Sequence, residues 1–191
     1  MSKEPTVILG VTGSIAAHKA VDIASELTKR GCNVHVVMTV EAQRFLTPLP
    51  FKTLSRNPVI TDLFAEETGW VPTHIQLADE ADLLLIAPAT ANIIAKLALG
   101  LADDTLTCIA LALNPQASIL IAPAMNTRMW LHPATQAHVE TLKNRGVEFI
   151  GPESGPLACG KTGPGRLASI ESIINTAIKK LQLPLDRPFK E

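Results

Sequence analysis

Residues 81–92, ADLLLIAPATAN, constrain this chain more than any other segment. Between Asp82 and Pro88, the residues Leu83, Leu84, Leu85, Ile86 and Ala87 are apolar without a break. A strand with one wet face alternates polar and apolar side chains, whereas a strand covered on both faces does not. The run therefore predicts a central strand of a parallel sheet, with helices on both sides. Proline donates no backbone hydrogen bond, so the strand is expected to stop at Pro88. Thr90 and Asn92 follow, and then the helical spacing Ile93, Ile94, Leu97, Ala98. Open α/β sheets hold ligands where such a strand gives way to a helix N-terminus. Thr90 and Asn92 accordingly mark a candidate crevice.

The rest of the chain reads as supports for that strand. Thr6–Val11 is a first buried strand, 12–15 a tight turn, and 16–30 a helix with Ala17, Ala20, Val21, Ala24 and Leu27 on one face. Asn33–Met38 is a second strand, which completes a right-handed βαβ unit. Residues 40–72 carry a weaker pattern: short helices at 40–46 and 51–55, a strand near Val59–Ile60, and a loop over 66–73. A short helix at 74–80 runs into the central strand. Helices then extend to about residue 99 and over 105–113, 133–145 and 169–181, with strands at 118–122 and 147–150. Residues 151–166 hold Gly and Pro without apolar period and read as a mobile loop. The sum is an α/β fold: a three-layer, Rossmann-like α/β/α domain over 1–182 with a parallel sheet in the order 3-2-1-4-5-6. Residues 183–191 read as a tail or the start of a linker.

Composition narrows the partners. The 191 residues carry a net charge of -1 and no Lys/Arg cluster, which argues against nucleic acid. Hydrophobic residues make 47% of the chain and charged ones 18%, so part of the surface is expected to be covered by other subunits. Cys32, Cys108 and Cys159 form no CxxC pair and no even framework, which suits a reducing compartment. Residues 1–5 are short and polar, with no signal-peptide pattern. No apolar run reaches the roughly 20 residues of a membrane span. The expectation is a soluble, cytoplasmic protein with no membrane partner.

The first turn, GVTGSIAA, places backbone N–H groups at a helix start, which suits a phosphate, and a plain Gly turn of an α/β fold accounts for the same residues equally well. It lacks the G-x-G-x-x-G fingerprint. Met38-Thr39 stands where a dinucleotide site wants a carboxylate for the ribose, so these loops favour a mononucleotide. Gly155, Gly160, Lys161 and Thr162 match the P-loop pattern by letter. Gly163-Pro164-Gly165 then forbids the helix that motif requires, so the P-loop reading fails. His74 lies just ahead of the central strand, near the expected crevice. His132 and His138 are too far apart along a helix to share a face, and no metal set is visible. Asn126, in PAMNTRMW, sits beyond a strand exit, where an amide can read a carboxylate. Cys159 lies in ACGKTGPGR beside Lys161 and Arg166, whose charges favour the thiolate. Cys32 and Cys108 look structural.

Taken together, GSIAA, HIQLADEADLLLIAPATAN, PAMNTRMW and ACGKTGPGR resemble the homo-oligomeric flavin-containing cysteine decarboxylases. The resemblance covers about residues 7–181. Its ACG-x-x-GPGR loop is similar to that of the phosphopantothenoylcysteine decarboxylases of coenzyme A synthesis. It is less like that of the peptidyl-cysteine enzymes. The resemblance implies FMN as cofactor, with its phosphate near Gly13, Ser14, Ile15 and Thr39. Thr90, Ala91, Asn92, Ile93, Ala124 and Met125 would line the flavin. His74 matches the family's catalytic histidine, Asn126 the residue that holds the substrate carboxylate, and Cys159 the proton donor on a closing clamp. Ala158, Lys161 and Arg166 fall on the same clamp and are expected to contact substrate. The implied chemistry is oxidation of the substrate thiol to a thioaldehyde, loss of carbon dioxide to an enethiolate, and return of a hydride with a proton from Cys159. The family is built on trimers that share the flavin site between neighbours, and bacterial members assemble further into dodecamers. In many bacteria a phosphopantothenate–cysteine ligase is fused behind the decarboxylase. The chain has PATANI where relatives often have PASANT, which keeps the hydroxyl and the amide. The rival readings are a peptidyl-cysteine decarboxylase, a flavin prenyltransferase and a non-catalytic FMN-binding regulator.

Overall fold

A computed structural model describes residues 4–65, 71–156, 158, 160 and 162–184. Thr6–Val11 (β1) lies in the middle of a six-stranded sheet. On one side it pairs with Asn33–Met38 (β2), which pairs with Val59–Ile60 (β3). On the other it pairs with Leu83–Ala89 (β4), followed by Ser118–Pro123 (β5) and Glu148–Phe149 (β6). Every pairing is parallel, and the order is β3-β2-β1-β4-β5-β6, as the alternating pattern predicts. The order reverses between β1 and β4, which is where such sheets open a crevice.

Both faces of the sheet are dry. Leu83, Leu85 and Ala87 of β4 join one core. They lie with Val7 and Leu9 beneath Ala20, Ile23 and Leu27 of helix His18–Lys29 (α1) and Ile173, Ala177 and Ile178 of the last helix. Leu84, Ile86 and Ala89 join the other core with Ile93, Ile94, Leu106, Ile109 and Leu142. Burial of each large apolar side chain contributes about 1.5–3 kcal/mol, so neither face tolerates a charge. The remaining helices are Leu49–Ser55 (α2), Thr73–Glu80 (α3), Ala91–Leu99 (α4), Thr105–Ala112 (α5), Thr127–Trp130 (α6), Pro133–Asn144 (α7) and Ile170–Lys180 (α8). Among the described residues no helix is long and apolar enough to cross a membrane.

Four expectations need correction. The central strand does not stop at Pro88 but runs to Ala89; the ladder shifts register between Ile86 and Ala89, so the missing proline N–H falls at an irregularity. Residues 151–166 are not a plain loop. Glu153–Pro156 (β7) and Thr162–Arg166 (β8) form a two-stranded antiparallel hairpin. The helix expected over 16–30 opens with a 3-10 turn, Ile15–Ala17, and becomes α-helical at His18. Of the helix expected over 40–46, only the 3-10 turn Ala42–Arg44 forms. The tail residues 185–191 lie outside the described residues.

Candidate active site

Thr12 ties the two strands of the crevice together. Its buried hydroxyl donates to the Pro88 carbonyl at 2.7 Å and accepts the Thr90 N–H at 3.1 Å. The exits of β1 and β4 are thereby held in one fixed relation. Thr90 then caps α4, its Oγ1 accepting the Ile93 N–H at 3.3 Å. Ser14 does similar work at the first turn. It accepts from the Ala16 N–H and donates to the Ala124 carbonyl, both at 3.3 Å, which joins the turn to the exit of β5. Among the described residues the Gly13 and Ile15 N–H groups take no partner, so the turn presents two donors to the space above it.

The exit of β5 carries Ala124, Met125 and Asn126. Ala124 N–H donates to Ala89 O and Met125 N–H to Gly165 O, both at 2.9 Å. Asn126 caps the four-residue α6 with its Oδ1, which accepts the Arg128 N–H at 2.8 Å. That bond fixes the plane of the amide and turns its N–H₂ edge the other way. The hairpin lies directly on this segment. A Cβ on Gly165, whose φ is 146°, would come within 2.2 Å of Met125 O. A Cβ on Gly163 would come within 2.7 Å of Thr127 Oγ1, a buried hydroxyl without a partner among the described residues. Glycines at 163 and 165 are what allow the backbones to meet.

These pieces enclose a cavity of about 520 Å³. Nine of the expected residues line it: Gly13, Ser14, Ile15, Thr90, Ala124, Met125, Asn126, Ala158 and Arg166. Among the described residues no carboxylate does. His18, Lys19 and Met129 also line it. Reading 16–30 by its apolar face alone hid His18 and Lys19; their positions four and five residues after Ser14 were the available signal.

The other expected residues fall elsewhere. Thr39 is buried beside the crevice without lining it, and its Oγ1 accepts the Ala42 N–H at 3.3 Å. Ile93 packs into the core, while Ala91 and Asn92 on α4 are half-buried and exposed. Cys159 and Lys161 lie outside the described residues. His74, on α3, is not in this cavity at all. It lines a second one of about 340 Å³ with His35, Asp62, Glu80 and Thr105. Its Nδ1 is buried without a hydrogen-bond partner among the described residues. Burial lowers the pKa of His35 there, partly opposed by the Glu80 carboxylate. Burial, and next the carboxylates of Asp104 and Asp103, raise the pKa of the Cys108 thiol, which suits a structural role.

Comparison with known proteins places the chain among flavoproteins. Residues 1–182 match the model of the Flavoprotein family. The chain is 46% identical over 175 residues to a probable phosphopantothenoylcysteine decarboxylase of Streptococcus mutans, covering 92% of this chain and 98% of that protein. It is 48% identical over 190 residues to the coenzyme A biosynthesis bifunctional protein CoaBC of Bacillus subtilis, covering 100% of this chain and 46% of that protein. Among solved structures it superposes on a cysteine-to-serine variant of PPC decarboxylase complexed with pantothenoylaminoethenethiol. The TM-score is 0.85 at 33% identity, covering 94% of this chain and 100% of that one.

Proposed function

Because the chain belongs to the Flavoprotein family, we propose that it catalyses the FMN-dependent decarboxylation of 4′-phosphopantothenoylcysteine to 4′-phosphopantetheine. The observation that carries this is the convergence of nine expected residues on one carboxylate-free cavity at the sheet's C-terminal edge. The residues present fit a flavin mononucleotide. The Gly13 and Ile15 N–H groups offer a seat for one phosphate. Ala124, Met125 and Thr90 give the ring a mostly apolar wall. Buried Met38 and Thr39 offer no carboxylate for a second ribose, which disfavours a dinucleotide.

Bound there, the flavin supplies the two-electron chemistry that gives a cysteine carboxylate a route to lose carbon dioxide. The chain supplies placement. Asn126, its plane set by the Arg128 N–H, holds the substrate carboxylate through its amide N–H₂. Arg166 on β8 adds a positive charge opposite, and no side-chain carboxylate in the lining opposes the anion. The hairpin covers the substrate from above and keeps water from the intermediate. Cys159, which falls between β7 and β8 in the sequence, delivers the proton that completes the product. His74 reaches the reacting centre from a neighbouring copy, since its own chain places it in a separate cavity. The resemblance to the cysteine decarboxylases implies a homo-trimer, or a dodecamer built of trimers, as the working unit. We place the enzyme in the cytoplasm, downstream of a phosphopantothenate–cysteine ligase, fused or separate, that makes its substrate.

Purified protein loaded with FMN should be yellow and should convert the substrate to a product lighter by one carbon dioxide. Cys159→Ser should instead release a species that also lacks two hydrogens. A protein that refuses FMN, or a wild type whose final product lacks those two hydrogens, would refute the proposal. The second outcome would favour a peptidyl-cysteine decarboxylase, checked with a peptide ending in cysteine.

A further inference from the structure

Two basic side chains of the cavity have no place in the scheme above. His18 and Lys19 open α1, and the first turn of that helix contains no acidic residue. Cations at this end oppose the helix dipole, so the placement weakens the helix unless an anion sits nearby. Lys19 is half-buried and has neither an ion pair nor a side-chain hydrogen bond among the described residues. His18 donates its Nδ1–H to the Ile15 carbonyl at 2.8 Å, which fixes the ring at the cavity wall. With Arg166, three basic side chains line a space that no carboxylate lines among the described residues. One phosphate on the Gly13–Ile15 turn and one carboxylate on Asn126 leave Lys19 and His18 without an anion.

We infer that Lys19 and His18 form a second phosphate station at the mouth of the cavity, and that its ligand is the terminal phosphate monoester of the substrate. This rests on the decarboxylase reading. The turn at Gly13 and Ile15 is built of backbone donors and seats a phosphate within the crevice. Ile15 itself is 62% exposed, and half-buried Lys19, four residues later, lines the same cavity. A long substrate with its cysteine end at Asn126 has its phosphate far from the reacting atoms. A flexible ammonium at the rim meets such a group as a point charge.

The test compares 4′-phosphopantothenoylcysteine with pantothenoylcysteine on the FMN-loaded oligomer. Lys19→Ala should cut the ratio of kcat/KM between the two by about tenfold, chiefly through KM for the phosphorylated compound, while Lys19→Arg keeps most of it. Flavin affinity is followed in parallel by fluorescence titration and should hold. An unchanged ratio overturns the inference. So does loss of flavin affinity at constant ratio, which would assign Lys19 to the cofactor's phosphate. If the wild type turns over neither compound, the decarboxylase reading has failed separately. The station is then decided by calorimetry with 4′-phosphopantetheine and pantetheine. The wild type should bind the phosphorylated one about tenfold tighter, and Lys19→Ala should not; equal binding by the wild type rejects the station.

Discussion

The cavity at the sheet's C-terminal edge and the one beside α3 differ in charge and in what they lack. The first holds Asn126, Lys19 and Arg166 and, among the described residues, no carboxylate. The one beside α3 holds His74 and His35 with Asp62 and Glu80. The first is suited to anions and contains no buried proton carrier among the described residues. The second has titratable groups and would repel an anionic substrate. Among the described residues, neither holds both Asn126 and His74. Their rims share one property: Ile15 and Met129 at the first, and Phe64 near the second, expose large apolar side chains. Exposed apolar rims mark surfaces that meet other proteins. The contrast supports a site assembled between copies, with the acceptor half and the histidine half on different protomers.

The strongest way to break that view is to separate the halves genetically. Asn126→Asp sets a like charge against the substrate carboxylate, and His74→Asn removes the titratable ring. Each should lower kcat/KM by about a thousandfold. Co-expressed as mixed oligomers, the two dead variants should recover roughly a quarter of wild-type activity per flavin, because random mixing pairs intact halves at that frequency. Activity measured on the isolated mixed oligomer decides it. Zero recovery would place both residues in one chain's site.

How much of this was legible in the sequence depended on whether the signal was local. The run Leu83–Ala87 identified the central strand because burial on both faces leaves no polar position, and β4 is indeed fully buried. The sheet order followed from alternation alone. The hairpin β7–β8 was missed because nothing local favours it: its residues are mostly Gly, Pro and polar. It forms against Met125, Asn126 and Thr127, about forty residues earlier, through close contacts that only glycine permits. Most of the candidate cavity could be named because its loops follow predicted strands. The separation of His74 from Asn126 could not, since both lie near the crevice in sequence logic and only the packing of α3 sends His74 elsewhere.

The hairpin offers a sharper contrast within the first cavity. Gly165→Ala must place a methyl 2.2 Å from a backbone oxygen that cannot yield, at a φ of 146°. The arm should lift from Asn126, lowering kcat/KM by about tenfold to a hundredfold while flavin absorbance is retained. Gly155→Ala meets only the flexible Arg166 side chain, at 3.3 Å, and should stay within about twofold. Steady-state kinetics on the two variants tests whether the arm acts through its contact with the β5 exit. Equal effects would remove that contact from the account.

The smallest expected effect belongs to the second cavity. His35 is disfavoured as a cation in the folded chain by burial, against which the Glu80 carboxylate acts only partly. Asp62 and His74 line the same space, and Asn33 Nδ2 lies 3.1 Å from His35 Nε2. Unfolded, the ring titrates near 6.5. A depressed folded pKa means that the unfolded state binds the extra proton first as pH falls. Stability is therefore whole above that value and declines as pH drops through it toward the folded pKa. Thermal unfolding of the flavin-loaded protein should show Tm falling below about pH 6.5, with the decline shallower in His35→Gln. An identical slope in the variant would remove His35 as the source of the acid sensitivity.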